Sequence, residues 1–178
     1  DEAAPLGDNP SPARLILPIS GKPALLAFTD AGRVALLRWE FAGQQPGKLE
    51  RFLPDSLEGE QVVQVLPLPS QGSLGLLSSD GRFKRLPVED FQELSGRATS
   101  VLKLKEGVTL RRVVSGQEGD TLVVASSTGR MLRLAVNESN LPVMGRNAQG
   151  PVLIRLLPGE TVVGAAAATG GLGAVIST

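Results

Sequence analysis

A chain of 178 residues with 18 basic and 18 acidic side chains and 42 % apolar residues has the composition of a folded protein with a core, not of a disordered one. It contains no cysteine and no histidine, which excludes disulfides, thiolate chemistry, imidazole bases and the usual zinc ligands. No apolar run approaches the roughly 20 residues of a membrane-spanning helix, and zero net charge supplies no global argument for nucleic acid.

Residues 1–13, DEAAPLGDNPSPA, are acidic and proline-rich, lack the basic and apolar regions of a signal peptide, and read as a linker or tail. The absence of an initiating methionine points to a piece of a longer polypeptide. RLILPIS (14–20) resembles QVLPLPS (64–70) and reads as the closing piece of a preceding unit. FTDAGRVALL (28–37) follows, as strand, polar corner and strand. The same pattern returns as SSDGRFKRLP (78–87) and SSTGRMLRLA (126–135), so Gly32, Gly81 and Gly129 stand 49 and 48 residues apart. A second block trails each corner: LEGEQVVQVL (57–66), LKEGVTLRRVV (104–114) and LPGETVVGAA (157–166). A period near 50 with two anchored blocks is the mark of a repeat architecture.

Within a unit the expectation is all-β. The Ser, Thr and Asp of each corner can bond neighbouring backbone, and the glycine takes the positive φ that a tight hairpin requires. Val, Ile, Leu and Thr dominate the flanks, bounded by Gly and Pro. Only VEDFQELSGRA (88–98) has a helical flavour, cut short by Gly96. GLGAVIST (171–178) reads as the strand opening a fourth unit. The expected organisation is a single domain over 14–178, with units at about 14–66, 67–115 and 116–166 and a partial fourth at 167–178. Small sheets of about four strands would bury their faces against one another in a radial or solenoidal array.

Charge is unevenly spread. Residues 1–60 carry six basic and nine acidic side chains, 61–116 eight and five, and 117–178 four of each. The middle third is therefore mildly basic. Directly after the second corner, strand alternation places Arg82 and Lys84 on one face and Arg85 on the other. Two residues after each glycine (Val34, Phe83, Met131) and five after it (Leu37, Leu86, Leu134) the chain is always apolar, despite the opposite parity. That implies either a bulge or a strand buried on both faces.

GRFKRLPVEDF (81–91) together with MGRNAQGPVLIRLLPGETVVGA (144–165) resembles the C-terminal domain of bacterial type IIA topoisomerase A subunits, those of DNA gyrase and topoisomerase IV. Gly81, Arg82, Phe83, Lys84, Arg85, Leu86, Pro87 and Phe91 match that family's first block. Gly145 to Gly150 match the second, and Ile154, Leu156, Gly159, Glu160, Val162 and Val163 the third. The resemblance covers about residues 14–178 and implies a β-pinwheel, a propeller-like disc whose blades exchange strands. It implies bending of double-stranded DNA around a basic rim by phosphate contacts, in partnership with the ATPase subunit of such an enzyme, and with the remainder of its A subunit. It also implies bacterial cytoplasmic, nucleoid-associated localisation, no membrane and no cofactor in this chain. The cleavage tyrosine of such ATP-dependent enzymes lies elsewhere; this chain has no tyrosine. The gyrase-type basic loop Q-R-R-G-G-K-G is absent, the nearest loops being FAGQQPGK (41–48), SGRATS (95–100) and GRNAQGP (145–151).

On that reading the candidate phosphate contacts are Arg82, Lys84, Arg85, Arg97, Lys103, Lys105, Arg111 and Arg112 in the second unit, and Arg130, Arg133, Arg146 and Arg155 in the third. For Arg33, Arg82 and Arg130, each directly after its glycine, bonding of carbonyls at the corner stands beside phosphate contact as an explanation. Trp39 and the five phenylalanines read as packing groups. A protein-contacting propeller module is the rival reading. An enzyme would need its carboxylates, such as Glu89 with Asp90 or Glu118 with Asp120, to face each other in a pocket.

Overall fold

The computed structural model describes residues 21–43 and 47–169. The tail, the RLILPIS segment, the centre of the 41–48 loop and the GLGAVIST segment lie outside those residues. In chain order the strands are β1 (Leu25–Thr29), β2 (Arg33–Leu37), β3 (Val62–Pro67), β4 (Ser73–Ser78) and β5 (Phe83–Pro87). A single helical turn, α1 (Glu89–Gln92), precedes β6 (Thr99–Ser100), β7 (Leu110–Gly116), β8 (Thr121–Ser126), β9 (Met131–Ala135) and β10 (Val162–Ala168). Short 3₁₀ turns at Trp39–Phe41, Leu49–Phe52 and Asp55–Leu57 lie between β2 and β3.

Each repeated corner closes a hairpin in the same way. The glycine amide donates to the carbonyl three residues earlier, Gly32 to Thr29, Gly81 to Ser78 and Gly129 to Ser126, each at 3.0 Å. The glycine φ values are +75°, +81° and +80°, a region in which a β-carbon would strain the chain. The second residue of each corner then clasps the trailing block. Asp30 N donates to Gln61 O, Ser79 N to Thr109 O and Ser127 N to Thr161 O. In return Gln61, Thr109 and Thr161 donate their amides to Asp30 Oδ1, Ser79 Oγ and Ser127 Oγ. The repeated polar residues are thus backbone fasteners.

Among the described residues three antiparallel sheets result, ordered β3-β1-β2-β6, β7-β4-β5 and β10-β8-β9. In all three the first-named strand carries one extra residue opposite the corner: Val63, Arg111 or Val163. These are β-bulges at equivalent positions, so each sheet bends alike. β7 packs against both β3 and β10, so the sheets meet along these strands.

The opposite edge is closed by exchange. β6, which follows the second hairpin in sequence, pairs with β2 through Arg33↔Ser100 and Val34↔Thr99. Gly32 O then accepts both Val101 N and Leu102 N, at 3.0 and 3.1 Å. The second hairpin repeats this with the following segment: Arg82 bridges to Val152, and Gly81 O accepts Leu153 N and Ile154 N at 2.8 and 3.2 Å. Among the described residues no segment covers β9.

One core cluster lies between the first and second sheets, with Phe28 and Phe91 edge to face at 5.9 Å. A second lies between the second and third sheets around Leu77, Phe83 and Leu122. A third holds Ala27 and Ala35 against Leu53 and Leu57. Burial of each large side chain contributes roughly 1.5–3 kcal/mol, so these interfaces are the main stabilising element.

The parity problem resolves differently in each hairpin. β5 is buried on both faces, Phe83 to Leu86 inclusive, while β9 alternates and leaves Met131 69 % exposed. The bulges fall on partner strands. The expectation of rim-facing Lys84 and Arg85 is corrected accordingly: they are 0 % and 5 % exposed because the 141–150 connector and the chain after β6 lie over them. The helical flavour after β5 reduces to α1, which buries Phe91.

Candidate nucleic-acid interface

The corner arginines are all tied to acids. Arg33 Nη1 meets Glu60 Oε1 at 2.6 Å, and Thr29 Oγ1 donates to the other carboxylate oxygen at 2.5 Å. Arg130 holds Glu160 with Nε (2.9 Å) and Nη2, while Ser126, Thr128 and the Leu157 amide also donate to that carboxylate. The Arg130 guanidinium, helped by these other donors, holds the Glu160 carboxyl well below the usual carboxylate range. In the second corner the acid is Asp80 from the hairpin itself, 3.5 Å from Arg82 Nε, and Arg82 Nη1 donates to Gly150 O at 3.0 Å.

Lys84 and Arg85 are interior fasteners. Lys84 Nζ donates to Val101 O at 3.0 Å and to Arg146 O, so one ammonium joins the two exchanged connectors. Burial pushes its pKa down from 10.5 to about 8, opposed by the nearby Asp90 charge. Arg85 donates to Ser73 Oγ at 3.0 Å, Leu141 O at 2.8 Å and Glu118 at 3.1 Å. Neither side chain can reach a phosphate in this structure.

Arg111 is the exposed bulge residue of β7, and the half-buried Arg112 reaches across to Val163 O of the third sheet at 2.7 Å. Both therefore stand on the strand where sheets meet, away from the exchanged edge. Arg146 is exposed and braced on Asp90, whose backbone O accepts its Nη2 and whose carboxylate stands 3.8 Å from its Nε. Arg97, Lys103, Lys105, Arg133 and Arg155 are exposed and make no ion pair among the described residues. Arg97, Lys103, Lys105 and Arg155 lie on the exchanged connectors and Arg133 on β9. Lys103 and Lys105 come together with Arg82 around a shallow cleft completed by Ser78, Asp80 and Val108.

The acids are what sequence reasoning missed. Glu60 and Glu160 each follow the glycine of the trailing block, so the repeat itself carried that signal. The carboxylate pairs considered for catalysis act elsewhere: Glu118 holds Arg85, Asp90 braces Arg146, and Asp120 accepts from Gln117 N and Thr169 Oγ1. Among the described residues no group of three or more acids is placed to hold a metal ion. No described helix is long and apolar enough to cross a membrane.

Small antiparallel sheets, fastened at equivalent corners and closed by strands from the next unit, define a propeller-class repeat protein with exchanged blades. The family model described as DNA gyrase C-terminal domain, beta-propeller, matches residues 76–115 and 120–169, and the chain belongs to that family. Similar sequences include the A subunit of DNA gyrase from Ureaplasma parvum, 33 % identical over 147 residues that cover 79 % of this chain and 17 % of that protein. The A subunit of DNA topoisomerase 4 from Synechocystis is 38 % identical over 170 residues, covering 86 % of this chain and 18 % of that one. Among solved structures, a DNA gyrase A C-terminal domain superposes with a TM-score of 0.70 at 15 % identity, over 85 % of this chain and 50 % of its own. The C-terminal domain of a DNA topoisomerase IV gives 0.66 at 19 % identity, over 84 % and 48 %. These last two show the fold. The chain thus spans under a fifth of the curated relatives and about half of the solved domains.

Proposed function

We propose that this domain holds double-stranded DNA by its phosphates and bends it, as an accessory to the A subunit of a bacterial gyrase or topoisomerase IV acting in the cytoplasm. The observation that carries this reading is the separation of the cations into two populations. Arg33, Arg130, Lys84 and Arg85 are bound within the protein, while Arg97, Lys103, Lys105, Arg111, Arg133 and Arg155 stand exposed without acid partners among the described residues. Arg146, braced but exposed, adds to the second set. Such dispersed cations suit backbone contact without base readout. Bending a 20–30 bp segment by 40–90° costs about 1–6 kcal/mol, and each phosphate contact offsets part of it. Dispersed cations on a chain of zero net charge mean weak, strongly salt-sensitive binding. On this reading the protein partners are the ATPase subunit, together with the remainder of the A subunit.

The test is a gel-shift or anisotropy titration with random-sequence duplex over a salt series. Binding that weakens linearly in log–log coordinates supports the reading; absence of binding at the lowest ionic strength sinks it. The edge of β9, which no strand covers among the described residues, with Met131 exposed, favours a second, protein-contacting role for the third sheet. Retention of a protein partner by a chain that ignores duplex would favour that role alone.

A further inference from the structure

The three corners carry the same arginine but not the same counter-charge. The connector turns Leu57–Glu60, Lys105–Val108 and Leu157–Glu160 are equivalent: the fourth amide donates to the first carbonyl at 3.1, 3.1 and 2.9 Å. The third residue is glycine at φ +87°, +75° and +77°. The fourth is glutamate, valine and glutamate. Glu60 and Glu160 reach the corner arginines of their sheets; Val108 brings no charge to Arg82. Asp80 stands off at 3.5 Å and also accepts from Ser78 Oγ, and Arg82 Nη2 has no partner among the described residues.

Two residues before each turn glycine the chain has Leu57, Lys105 and Leu157; two residues earlier still it has Asp55, Lys103 and Arg155. The first corner is therefore anionic, with Asp30, Asp55, Glu58 and Glu60 against Arg33. At the third, Arg130 is occupied by Glu160. At the second, Arg82, Lys103 and Lys105 line one cleft that has Asp80 as its lining acid among the described residues, while Glu106, the counterpart of Glu58, is exposed and does not line it.

We infer that the second corner is where a backbone phosphate of duplex DNA seats, gripped by Arg82, Lys103 and Lys105, and that valine in place of glutamate at position 108 keeps this seat open. The inference rests on the DNA-holding reading above. The chemistry is that of a phosphodiester oxygen accepting charge-assisted bonds from a guanidinium and flexible ammoniums. A carboxylate at position 108 would occupy Arg82 as Glu160 occupies Arg130, and would repel the phosphate.

The experiment is an anisotropy titration of the whole chain with short random duplex across a salt series, with thermal melting as the fold check. Val108→Glu is expected to weaken binding about tenfold at low salt and to flatten the log K against log salt slope by about 1. Val108→Thr, uncharged and of similar shape, should match wild type. Lys103→Gln with Lys105→Gln should flatten the slope by about 2 while leaving the melting temperature unchanged. If Val108→Glu melts early, the lysine pair decides. Wild-type binding with unchanged slopes in Val108→Glu and in the lysine pair overturns the seat alone; a wild type that ignores duplex at every salt removes the DNA reading itself.

Discussion

The second and third hairpins read SSDGRFKRLP and SSTGRMLRLA, and they live in opposite surroundings. Phe83 is 3 % exposed; its counterpart Met131 is 69 % exposed. A β-carbon on Gly81 would stand 2.1 Å from Ile154 O, whereas one on Gly129 would meet nothing within 4 Å. Arg85 is buried and triply bonded; Arg133 is exposed. What separates them is the connector of the following unit, which lies over the second hairpin and has no counterpart over the third among the described residues. Burial in this fold is conferred from downstream.

That comparison can be broken. Its largest expected effect is at the glycines. Gly81→Ala should cost about 5 kcal/mol, because strain at positive φ adds to a backbone clash, whereas Gly129→Ala should cost about 1–2 kcal/mol for φ alone. Urea unfolding measures both, and equal costs would deny the covering connector its role. Next, Phe83→Ala should cost about 4 kcal/mol and Met131→Ala no more than about 0.5 kcal/mol. Arg85→Ala leaves the Ser73 hydroxyl, the Leu141 carbonyl and Glu118 without their donor, at about 3 kcal/mol. Arg133→Ala should stay within about 0.5 kcal/mol in the same assay.

The smallest effect sharpens the comparison through pH. Folded Lys84 loses its proton from about pH 8, while the unfolded side chain keeps it to about 10.5. Between those values the unfolded chain binds more protons, so stability rises with pH, on the order of 2 kcal/mol. Leu132 occupies the equivalent place in β9 and cannot titrate. Lys84→Met should therefore abolish the rise in chemical-denaturation curves collected across this window; a rise that persists assigns it to other groups. On the acid side, Glu160 adds stability above the ordinary carboxylate pKa that is lost as pH falls through its depressed folded value.

Much of this was legible from repetition. Gly32, Gly81 and Gly129 marked three hairpins and the trailing blocks marked β3, β7 and β10, but the polar corner residues, expected to bond neighbouring backbone, clasp the distant trailing block instead. Alternation in β5 held, with Leu86 in one core cluster and Phe83 in the other, but it did not give exposure, because both faces are covered and the cover over Lys84 and Arg85 comes from residues 101 and 141–146, beyond any local window. Bulge and double burial, alternatives on sequence alone, both occur but on different strands. The counter-charges at Glu60 and Glu160 were present in the aligned blocks, yet a count of arginines and lysines passed over them. Electroneutrality of the chain was the visible trace of that pairing.

The exchange of β6 onto β2 also has a consequence for a chain leaving the ribosome. β2 ends at Leu37, but the strand that covers it begins only at Thr99. At synthesis rates of about 5–20 residues per second, the first sheet waits several seconds with a bare edge. An unpaired edge recruits other strands, so nascent copies on one polysome are at their most adhesive in that interval.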